Sequence, residues 1–108
     1  MSFITAHVLD STLGTPAQNI DVQLFTGAGE HIATAATNQD GRVGELGPET
    51  LESGDYRIIF STGAYFSARG QDHFHPYVTI DFTVKATEQH YHIPLLLSPF
   101  AYSTYRGS

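Results

Sequence analysis

The sequence predicts a mostly β domain that is built as a two-sheet sandwich with one short helix. Apolar and polar residues alternate along several short segments, and this alternation is typical of strands with one buried face. Clusters of Gly, Pro, Asn and Asp separate these segments, as expected for a sandwich with many turns. The chain has 108 residues, of which 41% are hydrophobic. This is enough for one core, so residues 1–108 are predicted to form a single domain.

The predicted elements follow from this alternation and from the breaks between segments. The strands are Phe3–Asp10, Ile20–Thr26, His31–Thr37, Arg42–Val43, Tyr56–Ser61, Val78–Val84, His90–Leu97 and Ala101–Arg106. Gly14–Pro16 breaks the chain after the first strand, and Asp40-Gly41 is a dipeptide typical of hairpin turns. Glu45–Ser53 is predicted to be an acidic loop. Ala64–Arg69 is the helix candidate, bounded by Gly63 and Gly70.

Composition excludes several classes of function. The net charge is -6 with only five Lys and Arg residues, so the chain is poorly suited to binding nucleic acid. The absence of cysteine excludes disulfides, thiolate metal sites and a cysteine nucleophile. No apolar segment reaches the ~18 residues of a membrane-spanning helix. The first basic residue is Arg42, which argues against a secretory leader, and the final residues match no peroxisomal signal. A cytoplasmic protein is expected.

Histidine and arginine positions are the first candidates for chemistry, because histidine exchanges protons near neutral pH. In the predicted strand His90–Leu97, the alternate residues from Tyr91 to Leu97 form the apolar face, so His92 points away from the core. His7 likewise shares its face with Thr5 rather than with the apolar neighbours of the strand. Taken singly, His92 is equally well explained as an exposed polar residue, and a lone strand histidine such as His7 is more often structural or exposed than functional. Arg42 follows a turn, where an exposed arginine is also common.

The C-terminal segment strengthens the functional interpretation. Tyr102–Arg106 has strand-forming composition close to the chain end, where small domains are usually frayed. A hairpin near Pro99 would place it opposite the segment Leu96 to His92. Tyr105 would then share a surface with His92, next to the carboxylate of Ser108.

Four segments in order along the chain resemble signature segments of the transthyretin-related 5-hydroxyisourate hydrolases. They are Ala6–Asp10 with Gly14–Ala17, then Asp40-Gly41-Arg42, then His90–Pro99, and finally Tyr105–Ser108. The similarity runs from about Phe3 to Ser108 and includes Thr62–Phe66.

This resemblance implies an eight-stranded, two-sheet, transthyretin-like β-sandwich with one short helix, assembled as a homotetramer around a central channel. It implies sites at the dimer–dimer interface that hydrolyse 5-hydroxyisourate, the product of urate oxidation, to 2-oxo-4-hydroxy-4-carboxy-5-ureidoimidazoline. The family's functional positions fall here on His7, Arg42, His92 and the tail from Tyr105 to Ser108. The hormone carrier transthyretin shares the scaffold but lacks the His, Arg, His set and the Arg-Gly-Ser ending.

Hydrolysis of a ring amide requires a base for water and a group that stabilises negative charge. His7 or His92 can be the general base, and the sequence leaves open which. Arg42 suits a urate-like ring and its developing oxyanion. Tyr105 and the Ser108 carboxylate are expected to hold the substrate and a histidine. No cofactor or metal is expected.

Two alternatives belong to other classes of protein. The chain could be a carrier, although buried His and Arg would be costly beside an apolar ligand. It could also be a zinc enzyme, because the pairs His73/His75 and His90/His92 each place two histidines on one face of a strand. Pro76 argues that the first pair lies in a loop.

Overall fold

The computed structural model describes residues 2–88 and 90–107, which form two β-sheets packed face to face and one short helix. The elements in chain order are β1 (Ile4–Asp10), β2 (Thr15–Pro16), β3 (Asp21–Thr26), β4 (His31–Ala36), β5 (Arg42–Val43), β6 (Gly54–Phe60), α1 (Thr62–Ala68), β7 (Val78–Val84), β8 (Tyr91–Leu97) and β9 (Tyr102–Thr104). The prediction of a mostly β sandwich with one helix is therefore confirmed.

The first sheet brings the two ends of the chain together. Its order is β2-β1-β8-β9, and β5 pairs with β1 on the same side as β2. β1 and β8 are parallel along their full length, from Ile4 opposite Tyr91 to Asp10 opposite Leu97. The second sheet has the order β4-β3-β6-β7 and is antiparallel throughout. Residues far apart in sequence are thus neighbours in the first sheet.

The core lies between the inner faces of the two sheets and follows the predicted alternation. The most deeply buried apolar side chains are Ile4, Val8, Ile20, Val22, Leu24, Ile58, Phe60, Val78 and Leu95. On β8, the alternate residues from Tyr91 to Leu97 are buried as predicted. His7 and His92 are only half-buried, because they lie on the opposite, outward face of the first sheet. This outward face carries the candidate site.

The described residues contain nine strands rather than eight, because the chain after β1 turns back on itself. The predicted break at Gly14–Pro16 contains the short strand β2, in which Pro16 pairs with Leu9. The Asp10 carboxylate accepts hydrogen bonds from the N–H groups of Thr12 and Leu13, both at 3.1 Å. A side chain that binds the backbone of the following residues produces a tight turn. The turn lets the chain return along β1.

The Asp40-Gly41 turn does not join a hairpin, in contrast to the prediction. β4 belongs to the second sheet, where it pairs with β3, whereas β5 pairs with β1 in the first sheet. The turn therefore carries the chain across the sandwich. Local turn chemistry fixes the bend, but it does not select the strand with which the next segment pairs.

The helix begins earlier than predicted, with Gly63 inside it rather than at its boundary. The Gly63 N–H donates to the Pro76 carbonyl at 2.9 Å. A Cβ at this position would lie 2.7 Å from that oxygen, so glycine permits this close approach. No helix in the described ranges is long and apolar enough to cross a membrane.

Candidate active site

The turn before β5 places Arg42 directly opposite His7. Their Cα atoms are partners in the antiparallel pairing of β1 and β5. The Asn38 side-chain oxygen accepts hydrogen bonds from the N–H groups of Asp40 at 2.9 Å and Arg42 at 3.0 Å. Gly41 adopts a φ of 73°, which glycine reaches without strain. These local contacts hold Arg42 in register with His7.

The tautomer of neutral His7 follows from its hydrogen bond. Its Nε2 lies 3.0 Å from the backbone carbonyl oxygen of Asp40. A carbonyl oxygen can only accept, so Nε2 must carry the proton. When the imidazole is neutral, its lone pair is therefore on Nδ1. The ring can accept a proton or a hydrogen bond only through that atom.

Thr5 connects His92 to a second imidazole. Thr5 and His92 are register partners in the parallel pairing of β1 and β8. The Thr5 hydroxyl oxygen lies 2.8 Å from His92 Nδ1 and 2.8 Å from His90 Nε2. The two rings are close to parallel, with an interplanar angle of 21° and 6.3 Å between centroids. Three polar side chains thus form one hydrogen-bonded group.

The electrostatic environment favours a neutral His92. Burial is the largest effect that lowers the pKa of His92, and the positive charges of Arg42, His90 and His7 lower it further. Each of these effects disfavours the imidazolium. At neutral pH the ring keeps a lone pair, as a general base requires. A recess of about 280 Å³ lies beside it, lined by Thr5, Ala6, Arg42, Val43, Gly44, His90 and His92.

The C-terminal segment returns to His92 after β9 ends. β9 pairs with β8 from Leu97 opposite Tyr102 to Leu95 opposite Thr104. The same register recurs at an isolated bridge between His92 and Gly107. A Cβ on Gly107 would lie only 2.7 Å from the His92 ring atom Cδ2. Gly107 therefore packs against the imidazole with no room for a side chain.

Two tail side chains lie near His92 but have different contacts. Tyr105 is 59% exposed and shares with His92 a mainly apolar groove of about 230 Å³. The Arg106 guanidinium lies over the Tyr91 ring at 4.3 Å and is 3.8 Å from the Glu88 carboxylate. Arg106 thus anchors the tail. Ser108, expected to supply a catalytic carboxylate, lies outside the described residues.

The fold therefore collects His7, Arg42 and His92 on one face of the first sheet, from three distant parts of the sequence. Two further contributors, Thr5 and His90, were not among the site residues predicted from sequence. The only available signal for them was strand alternation, which places Thr5 on the face of His7 and His90 on that of His92.

The two imidazoles of the pair His73/His75 contact different aromatic rings instead of facing a common point. His73 stacks on the Phe66 ring with centroids 5.7 Å apart, whereas His75 contacts the Tyr102 ring at 5.2 Å. Both lie in the loop between α1 and β7, as Pro76 suggested. Within residues 2–88 and 90–107, no three His, Cys, Asp or Glu side chains are arranged to hold a metal ion.

Comparison with known proteins points to one family. A model described as the HIUase/Transthyretin family matches residues 4–107. A 5-hydroxyisourate hydrolase of Salmonella typhimurium is 42% identical, over 99% of this chain and 82% of its own length. The structure of Klebsiella pneumoniae 5-hydroxyisourate hydrolase superposes with a TM-score of 0.90 at 37% identity, covering 100% of this chain and 94% of that one. Transthyretin from Sparus aurata gives a TM-score of 0.91 at 32% identity, covering 99% and 97%.

Proposed function

The chain belongs to the HIUase/Transthyretin family, and we propose from this premise that it hydrolyses 5-hydroxyisourate in urate breakdown. The observation that carries the proposal is the grouping of His7, Arg42 and His92 on one sheet face. Two imidazoles and a guanidinium supply the proton transfer and charge stabilisation that amide hydrolysis needs. Relatives similar along nearly the whole chain are 5-hydroxyisourate hydrolases.

The family also contains transthyretin, so the backbone does not distinguish a hydrolase from a carrier. The side chains of the outward face make the distinction. An apolar ligand seated there would cover Arg42 and the half-buried His7 and His92 without satisfying their hydrogen bonds, which is costly. A flat, polar, urate-like ring would instead form hydrogen bonds with them. The polar character of the face supports the hydrolase.

We assign the role of general base to His92. With Nδ1 held by Thr5, its Nε2 removes a proton from water as the water oxygen attacks the ring carbonyl carbon. The carbonyl electrons move to its oxygen, forming a tetrahedral oxyanion. When the intermediate collapses, the C–N bond of the ring breaks and the departing nitrogen takes the proton back from His92. The imidazole is then neutral again, and the ring is open.

Arg42 and His7 are assigned to charge stabilisation and to orientation of the reactants. The Arg42 guanidinium stays charged and offers several planar donors, so it can stabilise the oxyanion. His7, fixed with its proton on Nε2 by the Asp40 carbonyl, presents Nδ1 as an acceptor that orients the substrate or water. Tyr105 is proposed to bind substrate at the edge of the groove. The terminal carboxylate of Ser108 is proposed to stabilise a protonated histidine.

We further propose that the working form is a homotetramer with each site at a dimer–dimer interface. The outward face carries the half-buried Leu9 and Leu96 beside the polar residues. Apolar side chains on an outward face are typical of surfaces that another subunit covers. A second subunit would also exclude water from the site and strengthen its electrostatic interactions. The cytoplasmic location expected from the sequence stays a prediction.

The direct test is the decay of freshly prepared 5-hydroxyisourate, followed by absorbance with and without purified protein. Protein treated with a chelator should accelerate the decay as well as untreated protein does, because the proposed groups are side chains. His92→Asn protein at the same concentration is the control, because it measures any acceleration that does not depend on the proposed base. A decay no faster than the spontaneous one would reject the proposal.

A further inference from the structure

The Thr5 hydroxyl is placed between two imidazoles and can satisfy both only in a restricted way. It lies 2.8 Å from a nitrogen of each ring, and Thr5 is only 8% exposed. A hydroxyl has one proton to donate and lone pairs to accept. With both imidazoles neutral, Thr5 can donate to one ring and must accept from the other. Of His90 Nε2 and His92 Nδ1, one therefore carries a proton and the other carries a lone pair.

The direction of the hydrogen bonds through the Thr5 hydroxyl decides whether His92 can act as a base. If Thr5 donated to His92, the proton of the neutral ring would be on Nε2, the atom that faces away from Thr5. If Thr5 accepts from His92, the proton is on Nδ1 and the lone pair is on Nε2. Only the second arrangement gives a neutral His92 that can remove a proton from water through Nε2.

We propose that Thr5 is a positioning residue whose hydroxyl accepts from His92 Nδ1–H and donates to His90 Nε2, which presents the lone pair of His92 Nε2 to the substrate. This inference rests on the proposed function, because it takes His92 as the base. His90 has the role of fixing the direction in which the Thr5 hydroxyl points. Both residues act through His92 in this scheme.

The same arrangement supports the protonated intermediate. When His92 takes a proton on Nε2, its Nδ1–H bond to Thr5 becomes a charge-assisted hydrogen bond, which is stronger. The proton returns from Nε2 to the departing ring nitrogen, and Nδ1–H stays in place throughout. Because threonine is β-branched, its χ1 angle is restricted. The hydroxyl is therefore held toward both rings during the cycle.

Charged and titratable groups near His92 also influence its pKa. Arg42 on β5, His7 on β1 and His90 before β8 all lower the pKa of His92. Tyr105 and Arg106 from the tail line the groove beside it. Changing the Thr5 hydroxyl to a methyl group replaces none of these side chains. It removes only the hydrogen bonds that the hydroxyl forms with His92 and His90.

The decisive variants are Thr5→Val, which keeps the shape and removes the hydroxyl, and Thr5→Ser, which keeps the hydroxyl. We expect Thr5→Val to lower kcat on the order of tenfold with little change in KM, less than the loss when an orienting carboxylate is removed. Thr5→Ser should recover most of kcat. A matched control is Thr34→Val, because the Thr34 hydroxyl lies 2.6 Å from His31 Nε2 on the other sheet. This control should leave both constants at parent values.

The pH profile separates positioning from a merely structural role. An acceptor on Nδ1–H stabilises the imidazolium, so its loss in Thr5→Val should move the acid limb of kcat/KM to lower pH. If Thr5 instead donates to His92, its loss should move the limb upward. An upward shift or an unmoved limb in a folded, less active variant would overturn the proposal.

Nitrogen NMR of histidine-labelled parent protein tests the protonation pattern without any substrate. It is measured well above the ordinary histidine pKa of about 6.5. His90 and His92 should both carry their proton on Nδ1, in contrast to His7 with its proton on Nε2. Finding His92 with its proton on Nε2 would reject the role of Thr5. Because this result does not depend on turnover, it is distinguishable from a failure of the proposed hydrolase activity.

Discussion

The backbone N–H of Gly107 donates a hydrogen bond to the carbonyl oxygen of His92 at 2.9 Å. This bond holds the end of the described chain against the strand that carries the proposed base. It continues the β8–β9 register across residues that are not themselves in a strand. The tail is consequently positioned by the sheet, although Tyr105 and Arg106 are exposed.

Replacing Gly107 by Ala should lower activity by displacing the His92 ring. The added methyl group would lie 2.7 Å from His92 Cδ2 and 3.1 Å from Pro94 Cγ, so one of these groups must move. We expect at least about a tenfold loss in kcat, equivalent to about 1.4 kcal/mol of transition-state stabilisation. Steady-state kinetics measures the loss. Ala101→Ser, an exposed change in the same terminal segment, should be neutral, and equal activity of both variants would contradict the expectation.

Deleting residues 106–108 should lower catalysis at least about tenfold while the sandwich survives. The deletion removes the Gly107 bridge, the Arg106 contact with Tyr91 and the terminal carboxylate proposed to assist a histidine. The strands of the core are untouched, so thermal unfolding should remain cooperative. A truncated protein that assembles and turns over normally would show that the tail has no catalytic role.

Replacing His92 by Asn should lower kcat more than the tail variants do, and more than replacing His7. Loss of a general base typically lowers the rate ~10²–10⁴-fold, and His92→Asn is expected to fall in this range. His7→Asn should have a smaller effect that includes KM, because His7 is assigned to orientation. The matched control is His31→Asn, since His31 is an exposed histidine of β4 on the other sheet. A His92→Asn enzyme as active as this control would remove His92 from the mechanism.

The pH dependence of kcat/KM should reveal a base whose pKa lies below the ordinary histidine value. Burial and the charge of Arg42 lower the pKa of His92, and the base must be unprotonated to act. Activity should therefore fall as the pH drops through a value below about 6.5 and be constant above it. Arg42→Gln should move this limb upward. Arg57→Gln removes an arginine paired with Asp81 at 2.7 Å on the other sheet, and it should not move the limb.

Light scattering should give a particle near four times the subunit mass of 11.8 kDa. The reason is that Leu9 and Leu96 lie half-buried beside the polar site on the outward face. Activity per subunit should fall on dilution below the assembly constant, because an interfacial site would lose its second wall. A monomer with full activity at the assay concentration would refute the interfacial placement.

By itself the sequence determined the alternation of the strands, and with it the side of each strand that is buried. The predicted strand Val78–Val84 matches β7 at both ends, and β1 and β8 differ from prediction by one residue at their first residue. These features could be predicted because successive side chains of a strand point to opposite faces. The same rule placed His7 and His92 outside the core. Resemblance to signature segments then singled out both histidines, Arg42 and the tail.

Strand pairing was decided only by the tertiary structure, because pairing is a long-range choice among strands of similar composition. Alternation cannot show that β1 lies parallel to β8 with Thr5 beside His92, so the hydroxyl between the two imidazoles was missed. Nor can an Asp-Gly turn show that β5 will cross to β1 and place Arg42 opposite His7. These partners are selected because they let the two sheets bury their inner faces against each other. The individual site residues are local features of the sequence, whereas their grouping is a property of the packed sandwich.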